Sequence, residues 1–245
     1  MGFFVALRFL TVLPSPYRGD DPADLGRPVA YFPAVGLLLG LILAGLDQVL
    51  GRLLPRVAGD ALLIGAMVFL TGALHLDGFM DSCDALFGGN TPEARLEVLK
   101  DPRVGAFGAA GGICLLLIKY AALLSLDPSI KPWALTIALG VGRWGMTYGI
   151  YAYPYRPGPG TGRSFKEKGG FRELVIATIT VVGASFLVLR ITGLVAILMG
   201  LLITIGIARF ALGRLPGLSG DVYGAINEGV EASVLLFLAG AGSLR

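Results

Sequence analysis

Apolar positions fill runs of about twenty residues, separated by short stretches rich in glycine, proline and charge. A helix of that length is long enough to cross a hydrocarbon core about 30 Å thick. The pattern predicts helices over 30–50, 57–76, 104–125, 132–153, 173–189, 191–209 and 222–243. Only Arg190 and a turn around Gly193 divide the fifth run from the sixth. Seven spans are therefore expected, or six if that pair is one long segment. A soluble helical core would show a polar stripe along each run, and these runs lack one. The opening "MGFFVALRFLTVLPSP" is apolar but too short to span, and Pro14 and Pro16 end it; a short interfacial helix is expected there. It carries no small-residue cleavage site, and Ala6 stands where a myristoylation motif has Ser or Thr. The expected fold class is all-α: a polytopic membrane bundle in a single domain over 1–245.

Composition strengthens this picture. Charged residues make up 15% of the chain, against roughly 25% in soluble domains, and 55% of residues are hydrophobic. Mean hydropathy is +0.75. Glycine-rich stretches such as "VGAFGAAGG" at 104–112 suit close helix packing. Cys83 and Cys114 have no metal-type spacing and read as packing residues. The basic residues fall into two sets. Arg8, Arg18, Arg27, Arg95, Lys100, Arg103, Arg156, Arg163, Lys166, Lys168, Arg172, Arg209 and Arg214 flank one side of the expected spans. The smaller set on the other side is Arg52, Arg56, Lys131, Arg190 and Arg245. The positive-inside rule then puts the larger set in the cytoplasm, with the N-terminus inside and the protein in the cell (inner or plasma) membrane.

The unusual chemistry falls on the same side. In "HLDGFMDSCDALFGG" (75–89), Asp77, Asp81 and Asp84 are spaced i, i+4, i+7, which places them on one face of a helix. Three like charges so close raise one another's pKa unless a cation is present. Oxygen-only donors sharing an ion with phosphate oxygens suit Mg²⁺. The spacing is not that of an EF-hand, and one histidine without a cysteine pair leaves too few ligands for zinc. The alternative is a solvated helix end whose aspartates cap and solubilise. His75, the only histidine, is either a hydrogen-bonded packing residue or an active-site donor.

Downstream, "LEVLKDPRVGAFG" (96–108) brings Lys100, Asp101 and Arg103 ahead of the third span. Beside an acidic metal site, Lys100 and Arg103 offer a diphosphate a point charge and a bidentate fork. Arg143, expected inside the fourth span, needs an anionic partner, protein or ligand, whereas Lys119 can snorkel or pair internally. In "YRPGPGTGRSF", Arg156 and Arg163 accompany closely spaced glycines, which suits a phosphate contact or an ordinary flexible loop. "GLSGDVYGAINEGVE" (217–231) sets Asp221, Asn227, Glu228 and Glu231 at the start of the last span. Asp221 reads equally as a helix N-cap, and Glu228 as a second metal or substrate contact.

Taken in order, these four stretches resemble the motifs of the cobalamin synthase family, also called adenosylcobinamide-GDP ribazoletransferases. The resemblance runs from "ALRFLTVLP" to the last helix. It implies a Mg²⁺-dependent membrane enzyme that joins adenosylcobinamide-GDP to α-ribazole, or to its 5′-phosphate, with release of GMP. On that reading Asp77, Asp81 and Asp84 hold Mg²⁺, and Lys100, Arg103 and Arg143 neutralise the diphosphate. Arg156, Asp221, Asn227 and Glu228 contact substrate. The hydroxyl proton goes to Asp101, His75, Asp81 or Asp84. Expected partners are the two substrates and membrane lipid, with no nucleic acid; a homo-oligomer is left open. Two other functions compete. A CDP-alcohol phosphotransferase has the pattern D-G-x₂-A-R, but Met80 and Asp81 stand where its Ala and Arg fall. A transporter or cation pathway needs related halves with matching broken helices, and the charged loops have no counterpart repeat.

Overall fold

The computed structural model describes residues 1–16, 27–158 and 160–242; Arg18, Arg245 and the last residue of the expected final span lie outside the described residues. The described chain is helical. Its elements are α1 (Gly2–Leu10), a 3₁₀ turn (Arg27–Tyr31), α2 (Phe32–Leu53), α3 (Arg56–Leu70), α4 (Leu74–Cys83) with a π-helical turn (Asp84–Gly88), and α5 (Pro92–Val98). There follow α6 (Ala106–Ser125), α7 (Lys131–Ala152), α8 (Thr161–Lys168), α9 (Phe171–Leu212) and α10 (Gly220–Gly242).

The periodicity located most elements within a few residues, including the break at Arg190, and misjudged one. The run expected as one helix over 57–76 stops at Leu70. Gly72 and Ala73 adopt left-handed backbone angles (φ 58° and 60°), and the chain turns 91° into α4. A non-Gly residue in that region is uncommon, so nothing in the apolar pattern marked the bend. The fifth and sixth runs form α9, whose helical path breaks at Arg190 (φ 54°, ψ −133°). Gly193 packs against the backbone of Ser185, eight positions earlier, so the chain reverses there and α9 is a hairpin of two helices. Four helical segments among the described residues are long and apolar enough to cross a membrane: Arg27–Leu53, Ala106–Ser125, Phe171–Leu212 and Gly220–Ala241. The bent α3–α4 pair makes a fifth if it is one broken span. The α9 hairpin is counted once in that set, and α7 falls outside it. Length and hydropathy therefore support a polytopic helical bundle without fixing the expected count of seven.

The helix α7 occupies the centre, buried without a break from Ala134 to Thr147. Its neighbours α2, α9 and α10 surround it, so it meets protein where an outer helix would meet lipid. The closest approach is to α2. Gly36 sits against the Leu139 carbonyl and Arg143, and Gly40 against the backbone of Leu135 and Thr136. Small residues at such a crossing let the two backbones touch. Gly40→Val would drive a side chain into the α7 backbone, and overpacking of this kind costs about 1–3 kcal/mol. The purified variant is expected to unfold in detergent at a clearly lower temperature, with helix content unchanged before the transition.

The two sets of basic residues segregate. Arg52, Arg56, Lys131 and Arg190 lie at the end of the bundle formed by the C-terminus of α2 and the N-terminus of α7. The glycine-rich loop, the start of α10 and α4 gather at the other end.

Candidate active site

After its 91° bend, α4 crosses α10 at two glycines. A side chain at Gly78 would meet the Asp221 backbone at 2.9 Å, and one at Gly224 would meet the His75 carbonyl at 2.9 Å. Only glycine at both positions permits this contact. The crossing brings together carboxylates from distant parts of the sequence. Asp77 of α4 and Asp221 of α10 line one cavity of about 100 Å³, together with His75, Tyr223, Gly162 and Phe165. Asp81, one turn further along α4 and half-buried, sits within the electrostatic reach of Asp77, Asp221 and Asp84. Neither Asp77 nor Asp81 has a side-chain hydrogen bond or ion pair among the described residues.

Asp84 departs from the expected trio. The helix switches to π geometry at this residue, and its carboxylate turns onto the N-terminus of α6. Oδ2 accepts from the Gly105 amide and Oδ1 from the Gly108 amide, each at 2.7 Å. Those amides are otherwise orphaned at a helix start, and a carboxylate there is also favoured by the helix dipole. The glycines of "VGAFGAAGG" make room: Gly105 and Gly108 lie against Asp84, Gly111 against Cys83 and Gly112 against Met80. Among the described residues, no group of three or more His, Cys, Asp and Glu is arranged to hold a metal ion. The three aspartates expected to form one metal surface are thus divided, two toward the α10 crossing and one acting as a cap. Asp84→Ala is expected to cost about 1–2 kcal/mol of stability, the worth of an N-cap, and Asp84→Asn much less. Comparing the thermal transitions of the two variants checks this.

The loop residues take two arrangements. Arg103 forms a two-pronged pair with Asp101 (Nε to Oδ1 2.9 Å, Nη2 to Oδ2 2.7 Å), while the Arg103 amide also donates to Oδ1 at 3.0 Å. These contacts hold the Asp101 carboxyl well below the usual carboxylate range, which makes it a poor base. Lys100 is exposed beside the pair. Arg156 lies beside the start of α10. The bridge between Tyr155 and Leu218, with the Arg156 amide donating to the Leu218 carbonyl at 2.9 Å, pins the glycine-rich loop to the start of α10. The Arg156 charge there reaches Asp221. Tyr155 and Tyr223, which the sequence did not single out, come within 6.3 Å between ring centroids beside Gly162. Arg163 is taken up by Glu167.

The other expected contacts lie deeper, in a buried network that borders a small cavity of about 20 Å³. Arg143, 1% exposed, donates to Glu231 Oε1 and to the Leu139 carbonyl, so its anionic partner is the protein. Lys119 donates to Glu228 at 2.5 Å and to Glu231 at 2.6 Å. The Asn227 amide donates to Glu231 at 3.0 Å and to Glu228 at 3.3 Å. His75 Nδ1 lies 3.5 Å from Arg143 Nη2. Arg143, Asn227 and Glu228, expected as substrate contacts, are thus tied together in a buried, charge-balanced cluster spanning α4, α6, α7 and α10. Its hub, Lys119, is the residue that the sequence left as a snorkelling or internally paired lysine. An apolar helix interior is costly for charge, so the partners had to be near, but which partners these are is set by tertiary structure.

The whole chain can be compared with known proteins. The family described as cobalamin-5-phosphate synthase matches residues 2–239. The adenosylcobinamide-GDP ribazoletransferase of Desulforamulus reducens is 35% identical over 96% of this chain and 94% of its own. That of Acetivibrio thermocellus is 36% identical over 90% of each, and that of Pseudomonas fluorescens 35% identical over 97% of this chain and 98% of its own. No solved structure matches. With the match running through the α4 carboxylates, the glycine-rich loop and the α10 crossing alike, this chain belongs to the cobalamin-5-phosphate synthase family.

Proposed function

We propose that this protein is an adenosylcobinamide-GDP ribazoletransferase, joining adenosylcobinamide-GDP to α-ribazole or its 5′-phosphate and releasing GMP. The observation that carries the reading within the structure is the α4–α10 crossing. It sets unpaired Asp77 beside Asp221 on a cavity that Gly162 and Phe165 of α8 also line, with Asp81 and the Arg156 charge within electrostatic reach of Asp221. A ribazole hydroxyl attacks the phosphorus bonded to the corrinoid side; a new P–O bond forms as the bond to the GMP phosphate breaks. Such a transfer is governed by positioning and charge neutralisation. Arg156 and the exposed Lys100 supply positive charge to the diphosphate. Tyr155 and Tyr223 offer flat faces to an aromatic base.

The hydroxyl proton goes to Asp81. The Asp84 oxygens are capping α6, Asp101 is held by Arg103, and His75 Nδ1 faces Arg143. Asp81 alone of the four has no partner. Mg²⁺ commonly takes one or two carboxylates and completes its shell with water and substrate phosphates. Asp77 and Asp221 are such a partial set of hard oxygen donors, and they would hold the ion. When bound, it would offset the charge developing on the phosphate oxygens. The carboxylate end, where the larger basic set gathers, faces the cytoplasm of the cell membrane on this reading. Purified protein given adenosylcobinamide-GDP, α-ribazole and Mg²⁺ is expected to release GMP; no release with either ribazole substrate would overturn the assignment.

A further inference from the structure

At the far end of the bundle, a second cavity of about 360 Å³ opens between Asp47, Gln48 and Arg52 of α2, Arg56 and Asp60 of α3, and Lys131 of α7. The reaction proposed above does not use it. Phe32 and Ile150, at the other ends of α2 and α7, border the carboxylate cavity. From Phe32 to Gln48 is roughly 24 Å along the helix axis.

The floor of this second cavity is charged and buried. Lys131 (4% exposed) donates to Asp47 at 2.5 Å and to Asp60 (1% exposed). Arg56 Nη2 donates to the Leu123 and Leu126 carbonyls, and Nε lies 3.6 Å from Asp60 Oδ2, beyond hydrogen-bond distance. Asp60 Oδ2 is thus a buried acceptor without a hydrogen bond. Buried carboxylate oxygens are normally satisfied, and one that is not asks for a donor. Lys131 and Arg56 balance the two aspartates, and Asp127 on the adjoining turn is already bound by Ser129. Arg52, exposed at the rim, is therefore a surplus positive charge, and it has no partner among the described residues.

One cavity therefore holds, at its floor, an acceptor without a hydrogen bond and, at its rim, a cation unpaired among the described residues. A zwitterion carrying an N–H-bearing ammonium and a phosphate satisfies both. We propose that this cavity binds the head group of an ethanolamine phospholipid, its ammonium donating to Asp60 and its phosphodiester accepting from Arg52 and the Gln48 amide. A lipid is favoured over a soluble zwitterion because the exposed Leu54 lines the cavity, and Val49, Leu53 (72% exposed) and Val57, next to lining residues in the chain, are exposed apolar side chains that can accept acyl chains. A choline lipid has no ammonium N–H to donate, and a glycerol lipid offers only neutral hydroxyl donors in place of a charged one. Both chemistries should bind less well.

Delipidated full-length protein, titrated with ethanolamine, choline and glycerol phospholipids and followed by native mass spectrometry, tests this. The ethanolamine lipid is expected to bind roughly tenfold more tightly than the other two, about the worth of one charge-assisted hydrogen bond. Arg52→Gln should remove a similar factor while the lipid-free thermal transition stays in place. Equal retention of the three lipids, or ethanolamine-lipid binding unchanged in Arg52→Gln, would overturn the proposal. Soluble glycerophosphoethanolamine binding as tightly as the lipid would overturn the lipid assignment.

Discussion

Asp81→Asn is expected to lower GMP release by about 10³-fold, the usual scale for removing a positioned general base, in protein that still folds and inserts. The side chain keeps its shape and loses only the negative charge and proton-accepting capacity. Because Asp81 has no hydrogen-bond or ion-pair partner among the described residues, the change breaks no contact. It also relieves the repulsion among Asp77, Asp81, Asp84 and Asp221, so the thermal transition should hold or rise slightly. Asp84→Asn, three positions along, is expected to do the reverse: a modest change in activity, since an asparagine oxygen still caps α6 through one of the two amides. Asp101→Asn should also leave most of the rate, because the Asp101 carboxylate is engaged by Arg103 and not by substrate. GMP formation followed at saturating substrates separates the three. Near-normal turnover of Asp81→Asn would remove Asp81 from the reaction and return the proton to another group.

How far the sequence reached can be judged from particular residues. The apolar helices emerged because a bilayer imposes a length and a hydropathy that a single chain displays without its neighbours. The α3–α4 bend did not emerge, because a left-handed Ala73 is fixed by packing and has no propensity signature. The spacing of Asp77, Asp81 and Asp84 correctly marked a charged helical face, yet assumed that α-helical geometry continued through Asp84. The π turn changed the direction of that one side chain. The gathering of Arg52, Arg56, Lys131 and Arg190 at one end of the bundle was legible from the distribution of basic residues. That Asp221 joins Asp77, and that Tyr155 meets Tyr223, depends on helix crossings permitted by Gly78 and Gly224, more than 140 residues apart in the chain. Nothing short-range encodes such a meeting. Arg143 illustrates a partial success: the need for an anion was evident from its place in an apolar run, whereas the choice between ligand and protein required the fold.

The second large effect is on stability and concerns that same arginine. Glu231 is shared, accepting from Lys119 through one oxygen and from Arg143 through the other. Glu231→Ala leaves two cations that are 3% and 1% exposed facing Glu228 alone. Removing one partner of a buried ion pair costs about 3–5 kcal/mol, because the remaining charge is left desolvated and unpaired. The Glu231→Ala protein should therefore unfold at a much lower temperature in detergent, or fail to accumulate in the membrane. A shared network makes a sharper statement than a single variant. Removing an opposite pair together, as in Lys119→Met with Glu228→Gln, keeps the balance of Arg143 against Glu231. That double variant is expected to lose clearly less than the sum of its two single changes, since neither survivor is left without a counter-charge. Additive losses would mean that Lys119 and Glu228 are independently solvated and that the cluster is not one unit. Such coupling would also explain why these charges sit so deep in the bundle. They join α4 and α10 to α6 and α7 just behind the crossing that sets the Asp77–Asp221 cavity, so a loss there is expected to lower activity through the position of α4 even in protein that remains folded.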